Sequence, residues 1–177
     1  METISVIVLA GGASQRMGAN KALLAVGDGE TLVGRVVANL RVLSDDIVLV
    51  SNAPELYADL PVRHCADRFP GAGPLAGLHA GLHAAHNRWA FLAACDMPLV
   101  DHRLVRYMAL LTQGYDVVAP RNEQAVEPLH ALYSQDCLPA IEGSLRNGQR
   151  RMISFYPAVR VRYVEGREIA IFDCDGR

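Results

Sequence analysis

Short runs in which every position is apolar alternate with longer stretches in which apolar residues recur at helical spacing. Val6-Ile7-Val8-Leu9, Ile47-Val48-Leu49-Val50 and Trp89 to Cys95 are runs of the first kind, and so, after its leading acid, is the strand expected over Asp116 to Pro120. Uninterrupted and rich in β-branched residues, they predict strands buried on both faces of a parallel sheet. Val62 to Cys65 predicts a shorter strand, and Ala131-Leu132-Tyr133 another. Between them, Thr31 is placed to cap a helix running to about Leu43, with Leu32, Val36, Val37 and Leu40 on its buried stripe. Further helices are expected from the glycine-rich stretch Pro70 to Gly77 as far as about Asn87, over Asp101 to Thr112, and over Leu138 to Leu145. Strand and helix in strict alternation imply right-handed crossovers and a mostly parallel sheet with helices on both faces, a three-layer α/β/α Rossmann-like architecture. Such a sheet binds ligands at the carboxyl ends of its strands. Gly11, Gly12, Asn52, Asp67 and Asp96 all follow strands and are therefore expected on one rim.

A chain of 177 residues fits a single domain, 1–177, with a sizeable core. Its formal net charge of −2 provides no global basic field and excludes a general nucleic-acid binder. Nothing reads as a secretion signal, and no apolar run approaches the ~20 residues of a membrane span. Cys65, Cys95, Cys137 and Cys174 are scattered without zinc spacing and read as reduced thiols of a cytoplasmic protein.

The first run ends in Ala10-Gly11-Gly12, followed by a polar loop with Arg16, Gly18 and Lys21. Paired glycines free the backbone to turn successive N–H groups toward an anion, and the arginine and lysine bring positive charge to the same place. A Walker loop requires Gly-Lys-Ser/Thr, and Gly18 is separated from Lys21 by Ala19-Asn20; a dinucleotide fingerprint requires G-x-G-x-x-G, and these glycines are adjacent. What remains is L-A-G-G-x-S-x-R-M-G-x-x-K. Asp96, directly after Phe91 to Cys95, is a carboxylate at the end of an apolar strand, where an unpaired charge is costly to desolvate. Magnesium, which takes one or two carboxylates with water and substrate phosphates, is its natural partner; an ordinary turn or capping aspartate is the alternative. His79, His83 and His86 are helix-spaced beside an apolar stripe of Leu75, Leu78 and Leu82 and read as polar-face residues.

Leu9 to Gly12, Arg16-Met17-Gly18, Lys21, Gly73-Pro74-Leu75-Ala76-Gly77, Cys95-Asp96-Met97-Pro98 and Glu127-Pro128-Leu129 stand in an order that resembles the molybdenum cofactor guanylyltransferases. The resemblance covers nearly the whole chain and implies the nucleotidyltransferase fold, similar to glycosyltransferase A. It implies transfer of GMP from GTP to molybdopterin, or to its molybdenum-loaded form, with release of pyrophosphate. Leu9, Ala10, Gly11, Gly12, Lys21, Asn52 and Asp67 match nucleotide-binding positions, and Asp96 matches both nucleotide and magnesium. Arg16, Lys21 and Asp96 are the implied catalytic set. The part to about residue 120 is expected to hold the nucleotide, and about 121–177 the acceptor.

Arg146, Arg150, Arg151, Arg160 and Arg162 occur with no acid between them, and of these Arg150 and Arg151 are singled out for the phosphorylated acceptor. A solvated arginine face is the bland alternative. Family members commonly continue beyond a segment like Phe172 to Arg177 into an Asn-rich motif and a final helix, so the resemblance implies that a closing element is missing. It also implies molybdoenzymes or cofactor-handling proteins as partners of a monomer. A cytidylyltransferase, a sugar-phosphate nucleotidyltransferase and a non-catalytic nucleotide-binding accessory protein stay open as other readings of the residues.

Overall fold

The computed structural model describes residues 3–10, 21–26, 29–122 and 125–172. Seven strands form one sheet: β1 (Ile4–Leu9), β2 (Ile47–Val50), β3 (Arg63–Cys65), β4 (Trp89–Ala94), β5 (Val117–Arg121), β6 (Ala131–Ser134) and β7 (Val161–Glu165). They lie in the order β3-β2-β1-β4-β6-β5-β7. β1 to β4 are mutually parallel, and β5 and β7 are parallel to each other; β6 runs antiparallel to both its neighbours, with Leu92 opposite Ala131 and Trp89 opposite Ser134.

Side-chain alternation along each strand divides the core in two. Val6, Val8, Leu49, Phe91, Ala93, Val118 and Leu132 face α1 (Leu32–Leu40) and α3 (His102–Leu110). Ile7, Leu9, Val48, Val50, Leu92, Ala119 and Tyr133 face α2 (Pro74–Ala84) and α4 (Leu138–Arg146). A short α5 (Gly166–Ile169) follows β7. The expected three-layer α/β/α architecture is therefore present.

Caps placed two of the helices. The Thr31 side chain accepts from the Gly34 N–H at 3.2 Å, and the Asp101 carboxylate from the Arg103 N–H at 2.8 Å. Helix ends are shorter than the apolar pattern suggests: α1 stops at Leu40, α2 at Ala84 and α3 at Leu110. On α1 the buried stripe contains Val33 where Leu32 was expected. α2 approaches β1 so closely that a Cβ on Gly81 would lie 2.5 Å from Ile7 Cγ2, and one on Gly77 2.8 Å from Leu9 Cδ2.

This tight packing corrects the reading of the histidines. Every residue of α2 from Leu75 to Leu82 is buried, His79 included at 2 % exposure, because the helix is covered by the sheet on one side and by α4 on another. The His79 ring meets Phe69 and His83 edge to face, at centroid separations of 5.3 and 4.6 Å. Burial pushes its pKa down, so it is held neutral. His83 and His86 are exposed as expected.

Candidate active site

Parallel strands β3, β2, β1 and β4 deliver their carboxyl ends to one edge, and hydrogen bonds carry the pairing one residue beyond each strand. Ala10 N–H donates to Val50 O at 3.0 Å, Ser51 N–H to Cys65 O at 3.0 Å, and Cys95 N–H to Leu9 O at 3.1 Å. The residues that follow β1, β2 and β4 are thus registered along one rim. The Tyr57 hydroxyl donates to Ala10 O at 2.9 Å from within the core and secures the exit of β1. Leu9 and Ala10 are themselves buried, so a ligand at this point meets main chain. Gly11, Gly12 and Arg16 lie outside the described residues; Lys21 opens a 3-10 turn, Lys21–Leu23, and its side chain also lies outside them.

Asn52 and Asp67 are brought together. The Asn52 amide donates to Asp67 Oδ2 at 3.2 Å, and the Asp67 N–H donates back to Asn52 Oδ1 at 3.0 Å, clipping the ends of β2 and β3. Burial raises the Asp67 pKa and the Asn52 hydrogen bond opposes it. The glycine-rich stretch before α2 turns beside them, with Gly71 and Gly73 at φ of 76° and 74°, a region that favours glycine, and Pro74 starting the helix.

Asp96 occupies the turn after β4 and is exposed, which corrects the expectation of a desolvated carboxylate. Among the described residues no cation pairs with it and none donates to it. No cluster of three or more metal-ligating side chains occurs among them either. A single open carboxylate beside the nucleotide rim fits magnesium, which retains waters and draws its other ligands from substrate phosphates. Cys95 and Cys65, beside the two rim aspartates, are pushed up to about 11, chiefly by burial and then by the neighbouring negative charge, and stay protonated thiols.

His130 is a rim residue that sequence reasoning passed over, although it directly follows the Glu127-Pro128-Leu129 block. It precedes β6, whose reversed direction brings the strand's beginning to the carboxyl end of β4. Its ring meets Phe91 edge to face at 5.0 Å, its Nε2 is buried without a partner among the described residues, and burial pushes its pKa down to about 4 against the pull of Asp101.

The arginine run divides. Acids distant in the chain or on a neighbouring turn neutralise three of its members: Arg146 pairs with Glu142 at 2.6 Å, Arg160 with Asp116 at 2.8 Å, and Arg162 with Glu168 at 2.7 Å. Arg150 and Arg151 have no acidic partner among the described residues. With Gln149, Ile153 and Ser154 they line a cavity of about 390 Å³, and the Ser154 hydroxyl is buried without a partner among the described residues. Topology places this loop toward the rim. β6 ends at the amino edge, Gln135 Nε2 ties the start of α4 to the end of α2 through Leu82 O and Ala85 O, and nine residues of α4 climb back about 13 Å.

A sheet covered by helices on both faces, with Asn52, Asp67 and Asp96 after the carboxyl ends of its parallel strands, fits a nucleotide-binding α/β protein, and comparison with known proteins narrows it. Residues 6–161 match the MobA-like NTP transferase domain, and the chain belongs to that family. It is 43 % identical over 158 residues to a probable molybdenum cofactor guanylyltransferase of Pelotomaculum thermopropionicum, covering 89 % of this chain and 77 % of the relative. It is 34 % identical over 176 residues to the molybdenum cofactor guanylyltransferase of Desulfosudis oleivorans, covering 99 % and 87 %. Molybdopterin-guanine dinucleotide biosynthesis protein A of Archaeoglobus fulgidus superposes with a TM-score of 0.82 at 25 % identity, over 97 % of this chain and 88 % of that one. A cytidylyltransferase of Thermus thermophilus shares the fold, with a TM-score of 0.68 at 20 % identity, over 94 % and 89 %.

Proposed function

We propose that this chain transfers GMP from GTP to the terminal phosphate of molybdopterin or its molybdenum-loaded form. The observation that carries this reading is its similarity, over most of its length, to proteins named molybdenum cofactor guanylyltransferase. An oxygen of the acceptor phosphate bonds to the α-phosphorus of GTP in line with the leaving group. The bond from that phosphorus to the bridging oxygen breaks, and pyrophosphate departs with the electron pair. No general base is required, because the acceptor phosphate is already an anion near neutral pH.

Positioning and charge neutralisation carry such a reaction. Main chain at Leu9 to Gly12 and the side chains of Lys21, Asn52 and Asp67 bind the nucleotide, with Arg16 and Lys21 supplying charge for its phosphates. Asp96 would hold magnesium, which neutralises charge developing on the phosphoryl oxygens when bound. The Asn52–Asp67 clip keeps both side chains in one place along the rim before nucleotide arrives. Arg150 and Arg151, without an acidic partner among the described residues and lining one cavity with Ser154, supply positive charge for the phosphate of the acceptor. Calorimetric titration with GTP, CTP and ATP in the presence of magnesium tests the reading. Selective binding of GTP is expected, whereas preference for CTP moves the chain to a cytidylyltransferase, and binding of none points to an accessory protein.

A further inference from the structure

The carboxyl end of β5 bears a cation that the transfer step as described leaves idle. Arg121 stands two strand spacings from β4, about 10 Å along the rim from the Asp96 turn. Its guanidinium Cζ sits 4.2 Å from the ring centroid of Tyr163, on β7. Glu165 holds the edge of the guanidinium, with Nη2 to Oε1 at 2.6 Å and Nε to Oε2 at 3.4 Å. Register explains the arrangement: Arg121 lies opposite Glu165, and Tyr163 lies opposite Ala119, two residues before Arg121 and on the same face of the sheet. That is also the face on which α4 and the Arg150–Arg151 loop pack.

Arg121 is 42 % exposed and Glu165 38 %, and an ion pair so open to water adds little to stability. The pair does fix the plane of the guanidinium, with one side against tyrosine. A guanidinium stacks on conjugated rings through that plane, which lysine lacks. The acceptor combines a phosphate with a pterin whose pyrimidinone ring is flat and conjugated, and in the reading above Arg150 and Arg151 answer only the phosphate. We propose, resting on the guanylyltransferase reading above, that Arg121 is a stacking platform for the pterin ring, its guanidinium held between Tyr163 beneath and the ring above. Arg121 thereby contributes to acceptor specificity, and Tyr163 and Glu165 are positioning residues.

GMP transfer to molybdopterin, measured with each substrate varied in turn, tests the platform. Arg121→Lys and Tyr163→Leu are expected to raise the acceptor KM about tenfold while the GTP KM stays within about twofold, and Tyr163→Phe to behave as wild type. Quenching of the fluorescence of an oxidised pterin bearing a phosphate by the wild-type chain, diminished in Arg121→Lys, reads the stacking without turnover. An unchanged acceptor KM in Arg121→Lys, or an equal rise in both KM values, overturns the proposal. If Arg121→Lys fails to fold, Tyr163→Leu set against Tyr163→Phe decides it from beneath the guanidinium. A wild-type chain that binds GTP but transfers nothing to molybdopterin removes the guanylyltransferase reading, and the platform with it.

Discussion

Asp46 and Asp96 stand at opposite ends of the same sheet and are treated in opposite ways. Asp46, just before β2 at the amino edge, is 12 % exposed and fully engaged. It accepts from the Ser5 hydroxyl, from Arg63 Nη2 and Nε, and from the His86 N–H at 2.9 Å, while His86 Nδ1 approaches at 3.4 Å. Burial alone would raise its pKa, and these partners together pull it below the ordinary carboxylate value. Asp116 repeats the pattern before β5, held down first by the Arg160 side chain. Asp96, after β4, is exposed and unpartnered among the described residues. A carboxylate whose lone pairs are filled by the fold serves the fold; one left open at the rim is available to a ligand.

Substitution at the two ends separates these roles. Asp96→Ala is expected to lower kcat/KM for GMP transfer by about 10³-fold or more, with the melting temperature unchanged. Full activity in that variant removes the metal assignment. Asp46→Ala should do the reverse, costing about 2–3 kcal/mol because Ser5, Arg63 and the His86 N–H lose their acceptor, while kcat at a permissive temperature is retained. Chemical denaturation with parallel assays measures both.

The packing that aligns the rim can be tested next. Gly81→Ala forces a methyl group into Ile7 and is expected to cost about 1–3 kcal/mol in the same denaturation experiment. A stable variant would show that α2 can retreat from β1.

The two ends also differ in their dependence on pH. His130 has a folded pKa near 4 against an unfolded value near 6.5, so its neutral form is favoured by folding. Its contribution is present above pH 6.5 and is lost as pH falls toward 4. Asp46 and Asp116, with depressed folded pKa values, hold their contributions above the unfolded value near 3.9 and lose them below it. Wild-type melting should decline in two stages, and His130→Gln should lessen the slope between pH 6.5 and 4, leaving the part that buried His79 contributes. A slope identical to wild type in that variant would place the titration elsewhere. The smallest effect belongs to Asn52→Ala, which opens the clip to Asp67: GTP affinity is expected to fall about 5- to 20-fold with little change in stability. Unchanged affinity would leave the clip structural.

Most of this fold was legible in the residues. The strands β1, β2, β4, β5 and β6 and the helices between them follow from apolar runs and capping residues, since burial on both faces leaves little room for polar side chains; β3, at the sheet edge with Arg63 and His64, followed from the short Val62 to Cys65 segment. β7 was hidden because it lies at the edge of the sheet and carries Arg162 among Val161, Tyr163 and Val164. The arginines looked uncompensated along the chain because the acid that meets Arg160 lies 44 residues earlier. His79 was misplaced for a related reason: helical spacing separates the faces of α2, but only tertiary structure brings α4 over the second of them. At the site, Asn52 and Asp67 could be named from their positions after strands, yet their mutual hydrogen bonds span 15 residues and follow from the pairing of β2 with β3.

The reversal of β6 has a consequence for how such a chain can diversify. Parallel neighbours are linked by crossovers that pass over a face of the sheet, so their connections carry helices already committed to the core. β5 and β6 are adjacent and antiparallel, and the segment joining them turns at the rim itself. It can lengthen, shorten or exchange residues without disturbing a helix. The half of the rim next to β1 is set by backbone exits that hydrogen-bond to one another, while the half beyond β4 ends in the β5–β6 connection, so on the proposed division of the rim acceptor preference can drift while the nucleotide grip stays as it is.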